Sequence, residues 1–166
     1  METKQDMPKF SKQDFDLNSW RLKTSGLFHT SIDLNYKDLL AFPRISLKQD
    51  FTCLEGWKVE GVAWEGIKLS DVLYFLGLQS EALFLRLASG TFSVVIPLHR
   101  AMEPTTLLAL RKGGVPLDEY HGGPVRLVLQ GQDCYESIKG VDKIEALAES
   151  EESTAATIAL GRISDR

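Results

Sequence analysis

Apolar and polar positions alternate through much of the chain, with a few short helical stretches between them. Residues 19–28, SWRLKTSGLF, place Trp20, Leu22, Leu27 and Phe28 in a near-alternating pattern, which predicts a strand with a turn at Ser25-Gly26. Residues 31–43 carry Tyr36, Leu39 and Leu40 at helical spacing, with Asn35 as N-cap and Pro43 as the stop. RISLKQDFTCLEG then alternates through Ile45, Leu47, Phe51 and Cys53, a strand with a kink near Gln49-Asp50. Residues 62–78 begin as a strand and become a helix with Leu69, Val72, Leu73 and Leu76 on one face and Gly77 as C-cap. Residues 82–98 read as a hairpin around Ser89-Gly90. Residues 101–117 hold a short helical or extended segment and a turn at Gly113-Gly114. Strands follow at 125–129 and near 138–146. The expected fold is mixed α+β, richer in strands than helices, with short helices packed on sheets.

The organisation expected is a polar, loose N-terminal segment over 1–17, one domain over 18–147 and a polar tail over 148–166. The acidic run in that tail shows no period and reads as a solvated end. The length of 166 residues is enough for one domain with a real core. A net charge of −4 gives no overall basic surface for nucleic acid, so an anionic ligand needs a local group of cations. No apolar run of about 18 residues is present and the N-terminus has no apolar h-region, so neither membrane insertion nor export is expected. The two cysteines, Cys53 and Cys134, form no CxxC pair, and a reducing compartment, the cytoplasm, is the expected setting.

Cys53 is the residue that needs a reason. A single cysteine on a strand is ordinarily a small buried hydrophobe. The segments around it, however, resemble the molybdopterin-binding domain of the sulfite oxidase family. The resemblance runs over about residues 18–146 and rests on TCLEGW, GVAWEGIKLSDVL, HGGPVRLV and SIKGVDKI in this order and spacing. It implies a sulfite oxidase-like molybdopterin-domain fold and a Mo-molybdopterin cofactor. In the family the cysteine matching Cys53 is the protein ligand to molybdenum, a role suited to a soft, strongly donating thiolate. The resemblance further implies cofactor contacts from His121 and Arg126 of HGGPVR and from Ser137, Ile138 and Lys139 of SIK. Cations and backbone N–H groups are what a phosphate requires. Each has an ordinary alternative: Arg126 as a strand arginine in an ion pair, Lys139 as a solvated charge. Trp57 and Trp64 read as packing residues that frame the cysteine, and the nearby glycines as room for a bulky ring system.

The chain also departs from the family pattern. Gln132 stands where a basic residue is usual, Asp133 where an aromatic is, Cys134 where a glycine is, and Glu136 where a lysine is. Near a phosphate the lost cations and gained carboxylates oppose binding. Residues 1–17 lack the Asn or His/Arg cluster that closes over the cofactor in many relatives, and Arg86 falls near a family threonine. Two readings follow. One is a molybdopterin-dependent oxidoreductase, with Cys53 on molybdenum, a two-electron oxo transfer on a small substrate, and an external electron partner, since no haem or iron–sulfur motif is present. The other is a module that binds a pterin-like anion without turnover, or has lost the cofactor and kept the fold. Cys53 and Cys134 facing one cavity, as two soft donors or a redox pair, is a further possibility that spacing alone leaves open.

Overall fold

The computed structural model describes residues 1–9, 11–131 and 134–164. They form two sheets with helices between and around them. The first sheet has strand order β1 (Glu2–Lys4), β5 (Trp57–Lys68), β8 (Leu107–Lys112), β10 (Arg126–Val128). β4 (Arg44–Cys53) pairs with β5, and β9 (Val115–Pro116) with β8. The second has order β3 (Leu34–Asn35), β2 (Arg21–Gly26), β11 (Lys143–Leu147), β6 (Phe84–Ser89), β7 (Phe92–Pro97). β1 runs parallel to β5 and β2 parallel to β11; the other pairs are antiparallel. A strand-rich α+β architecture is what the alternation predicts, and a sulfite oxidase-like one is what the resemblance implies.

Alternation buries both faces of the first sheet. Ile67, Leu108, Leu110 and Leu127 point into the main core, where they meet Leu22, Leu85, Leu87, Ile96 and Ile144 of the second sheet. Helix α2 (Leu69–Leu76) adds Leu69, Val72, Leu73 and Leu76, all at most 1% exposed and each stabilising by about 1.5–3 kcal/mol on burial. It ends at Gly77, as its spacing predicts. The alternate residues Leu107, Ala109 and Val128 face a second cluster with Phe51, Cys53, Trp57, Val59, Val62 and Trp64. Helix α1 (Tyr36–Leu40) is held at its start by a capping box: the Asn35 side chain accepts from the Asp38 amide, and Asp38 accepts from the Asn35 amide. The one-turn helix α3 (Leu98–Ala101) follows β7.

The glycines of the cysteine region serve the strands. Gly56, at φ 90°, closes a three-residue hairpin turn between Cys53 and Trp57, which are paired across β4 and β5. A Cβ on Gly66 would lie 2.2 Å from the Leu108 carbonyl oxygen, so only glycine lets β5 approach β8 there. The kink expected at Gln49-Asp50 is a register shift in the β4–β5 ladder, with the Asp50 carboxylate accepting from the Gly61 amide at 2.9 Å.

Both chain ends differ from the sequence expectation. Residues 1–17 are not all loose: β1 joins β5, and Met7 is buried in the second cluster. The tail carries helix α4 (Thr154–Ser164), which rests on β7. Its weak amphipathy explains why no period was legible, since alanines at 155, 156 and 159 make contact without a hydrophobic signature. Among the described residues no helix is long and apolar enough to cross a membrane, which says nothing of strands.

Candidate functional site

The tip of the β4–β5 hairpin opens on a cavity of about 510 Å³, within the range of small-molecule and cofactor sites. Phe51, Cys53 and Trp57 form one wall. Arg126 comes from β10, and Ser137, Ile138 and Lys139 from the loop before β11. Met7 and Gln13 close it on the N-terminal side, and Ala155, Ile158 and Arg162 of α4 close another. Of these residues the sequence reading singled out Cys53, Arg126, Ser137, Ile138 and Lys139, and it took Trp57 for a packing residue. It missed the terminal segments, because neither carries a motif; the available signals were the few large apolar residues of a polar stretch, Met7, Phe10 and Phe15.

Cys53 is the last residue of β4 and 6% exposed. Its sulfur lies 2.6 Å from the sulfur of Cys134, within hydrogen-bond reach, and either sulfur can be the donor. Cys134 opens a single 3-10 turn over Cys134–Glu136 and is partly exposed. The hydrogen bond with Cys53, followed by burial, pushes the Cys134 thiol well above its usual range.

Arg126 is 2% exposed and is held by little that neutralises it. One Nη donates to the His121 carbonyl at 3.2 Å, and the guanidinium lies 4.9 Å from the Phe51 ring centre and 5.5 Å from that of Trp64. Its Nε has no hydrogen-bond partner, and no carboxylate pairs with it among the described residues. Burial lowers its pKa to about 10, so it remains a cation at neutral pH. The ion-paired strand arginine that the sequence also allowed is not what these residues form. Lys139 is half-buried and donates to the Tyr120 carbonyl at 2.7 Å; burial, then the nearby Arg126 charge, lowers its pKa to about 8. Ser137 is buried, and its hydroxyl accepts from the Leu129 amide at 3.2 Å.

His121 stands apart from the other sequence-predicted residues. Its side chain does not line the cavity: Nδ1 is 2.8 Å from an Asp118 carboxylate oxygen and Nε2 is 3.4 Å from the Met7 carbonyl. Only its backbone carbonyl reaches the site, by accepting from Arg126. Two of the charged departures also point elsewhere. The Glu136 carboxylate is 3.5 Å from Arg100. Arg86 lies on β6 and is paired with Glu145 and Glu151. Gln132 and Asp133 lie outside the described residues. Trp64 packs in the second cluster, whereas Trp57 both packs and lines the cavity.

A family model described as the oxidoreductase molybdopterin binding domain matches residues 8–155. The chain belongs to this family. Curated relatives in it include the uncharacterized oxidoreductase YuiH of Bacillus subtilis, 31% identical over 136 residues, covering 81% of this chain and 69% of that protein. Another is the catalytic subunit MsrP of the protein-methionine-sulfoxide reductase of Campylobacter jejuni. It is 28% identical over 160 residues, covering 86% of this chain and 54% of MsrP. The chain therefore spans about half the length of that relative. Among solved structures, the sulfane dehydrogenase SoxCD from Paracoccus pantotrophus superposes with a TM-score of 0.78 at 22% identity, over 84% of this chain and 41% of SoxCD. That likeness establishes the fold.

Membership of the molybdopterin family implies Mo-molybdopterin as the cofactor, and the cavity fits such a group. It is large enough, it carries a buried guanidinium with an unsatisfied Nε, and it presents a soft sulfur donor at its wall. Among the described residues no cluster of three or more His, Cys, Asp or Glu side chains competes as a metal site.

Proposed function

We propose that this chain is a molybdopterin-dependent oxidoreductase domain of the sulfite oxidase type. In it Cys53 binds the molybdenum, and Arg126, Ser137, Ile138 and Lys139 hold the anionic pterin. It acts on a small substrate in a reducing compartment, the cytoplasm, and exchanges electrons with an external partner. One observation carries the reading: a thiol and a buried guanidinium without a carboxylate partner among the described residues share one cavity. A buried cation is costly unless an anion accompanies it. Placing the ligand's phosphate at Arg126 recovers that cost and fixes the cofactor's orientation through a planar fork of donors.

The cofactor, when bound, supplies the two-electron redox chemistry and the oxygen exchange. The protein supplies position. The hairpin turn at Gly56 aims the Cys53 sulfur into the cavity. The His121 carbonyl, fixed by the Asp118–His121 pair, sets the angle of Arg126. Lys139 adds a second cation, and α4 with the N-terminal segment narrows the access of water. Glu136, which in the sequence favoured a module without turnover, has its charge opposed by Arg100.

The test is molybdenum content by ICP-MS of protein made with molybdate in a cofactor-competent host, with Cys53→Ser alongside. About one molybdenum per chain is expected in the wild type, as for a single cysteine ligand, and none in the variant. Molybdenum retained by Cys53→Ser removes the ligand assignment. Molybdenum in neither leaves the module without turnover as the better reading.

A further inference from the structure

Cys134 lines the cavity without a role in the cofactor site as derived above, and its sulfur lies 2.6 Å from that of Cys53. The two residues are 81 positions apart in sequence, so the fold brings them together. Their sulfurs, at 2.6 Å, need to close only about half an ångström to reach the length of an S–S bond, about 2.05 Å. Cys53 is fixed at the end of a long paired strand. Cys134 sits in one isolated 3-10 turn, partly exposed and lining the cavity, and so is the partner that can be reached and can move.

We propose that Cys53 and Cys134 are a reversible dithiol–disulfide pair, and that the disulfide form is closed to the metal. The first part stands on the geometry alone. The second rests on the reading of Cys53 as the molybdenum ligand. The oxidant is a low-molecular-weight disulfide such as glutathione disulfide. The accessible Cys134 gives up its proton to solvent, slowly because its thiol is held protonated, and the thiolate attacks one of the reagent's sulfurs; the S–S bond breaks, and one glutathione leaves and takes up a proton. Cys53 then attacks the Cys134 sulfur of the mixed disulfide and expels the second glutathione. Two electrons pass from the protein thiols to the reagent, which departs as two thiols. Cys53 is then bonded to sulfur and has no electron pair on a thiolate to give a metal. A thiol reductant reverses both steps. The pair would let the thiol state of the compartment decide whether the cofactor can load, and would shield the ligand cysteine from over-oxidation before loading.

The test uses the full-length chain, made in a host unable to produce the cofactor, incubated with glutathione disulfide. Thiols are counted under denaturing conditions and the intact mass is measured. The expected result is loss of both thiols with the mass lowered by two hydrogens and no retained glutathione, reversed by dithiothreitol. Cys134→Ser and Cys53→Ser should each instead keep one glutathione or one free thiol. Wild-type chain that keeps both thiols, or accumulates stable glutathione adducts, overturns the pair. In the second arm the reduced and oxidised chains are given Mo-molybdopterin released from a carrier and assayed for bound molybdenum. Uptake by the reduced form and its loss in the oxidised form supports the gate, and equal uptake by both overturns it. Uptake by neither overturns the ligand reading of Cys53, and the gate with it, while the thiol count decides the pair by itself.

Discussion

The guanidinium of Arg126 lies 4.9 Å from the centre of the Phe51 ring, inside the second apolar cluster. An aromatic face stabilises a cation by about 0.5–2 kcal/mol, less than the several kcal/mol that burying one costs. The folded chain therefore carries a charge that its own described residues do not balance. Arg126→Met keeps most of the stem's volume and removes the charge. The variant should keep its stability or gain on the order of 1 kcal/mol in urea unfolding. Its retention of molybdenum should fall about ten- to hundredfold, the effect of losing one charge-assisted hydrogen-bonding group. A strongly destabilised variant that still holds molybdenum would make Arg126 a structural residue.

Gly56 closes the turn that joins Cys53 to its partner Trp57 across the hairpin. At φ 90° it occupies backbone space that side chains rarely enter, although nothing within 4 Å would meet a Cβ there. Gly56→Ala therefore introduces backbone strain without a steric clash, about 1–2 kcal/mol. The hairpin can relieve it by repacking the turn, which moves Cys53 away from the cavity. A drop in melting temperature with a loss of bound molybdenum larger than the stability change explains is the expected pattern. If molybdenum content follows stability alone, the turn does not aim the cysteine.

The contrast between the hairpin and the two termini shows what was legible. Phe51, Cys53 and Trp57 could be placed because strand alternation and a Gly-containing turn leave a strong local signal. Leu69, Val72, Leu73 and Leu76 declared their helix by spacing. Arg126 and Lys139 were found through a resemblance, since a buried and an exposed arginine look alike in a sequence. The resemblance also brought in His121, whose ring is occupied by Asp118 and the Met7 carbonyl. Asp118 is a local partner 3 residues away, whereas the Met7 contact joins residues 114 apart and leaves no local trace. The contact between Cys53 and Cys134 is of the same kind: spacing allows it, and only the fold brings the sulfurs together.

Lys139 gives a pH dependence with a definite sign. Its folded pKa is lowered to about 8 from 10.5, by burial first and by Arg126 second. Between these values the unfolded chain binds a proton that the folded chain does not, so stability rises with pH across that window. Below about pH 8 both states are protonated and the full cost is present. Urea midpoints of the wild type relative to Lys139→Met should accordingly increase from pH 7.5 toward pH 10. Inorganic phosphate, used as a probe of the cavity, should bind more weakly over the same rise as the cation is lost. A pH-independent difference between the two chains would show that Lys139 keeps its ordinary lysine pKa.

Helix α4 is tied to the domain by two hydroxyls. β7 is the outer strand of the second sheet, and its outward amides would otherwise have no strand to bond. The Ser93 amide donates to the Thr154 Oγ1 at 2.8 Å and the Val95 amide to the Ser153 Oγ at 2.9 Å. Thr154 in turn donates to the Thr91 carbonyl at 2.9 Å. Beyond these anchors Ala155 and Ile158 reach the cavity wall. Replacing Ser153 by alanine and Thr154 by valine keeps the size of the contact and removes its hydrogen bonds. The cost should be about 1–3 kcal/mol in stability, limited because water can reach an edge strand. Hydrogen exchange should accelerate at the amides of Ser93 and Val95 and through residues 154–164, and bound molybdenum should be lost faster as the wall loosens. Unchanged exchange at those two amides would mean that α4 is held by its apolar contacts alone, and that the hydroxyls are dispensable to the cavity.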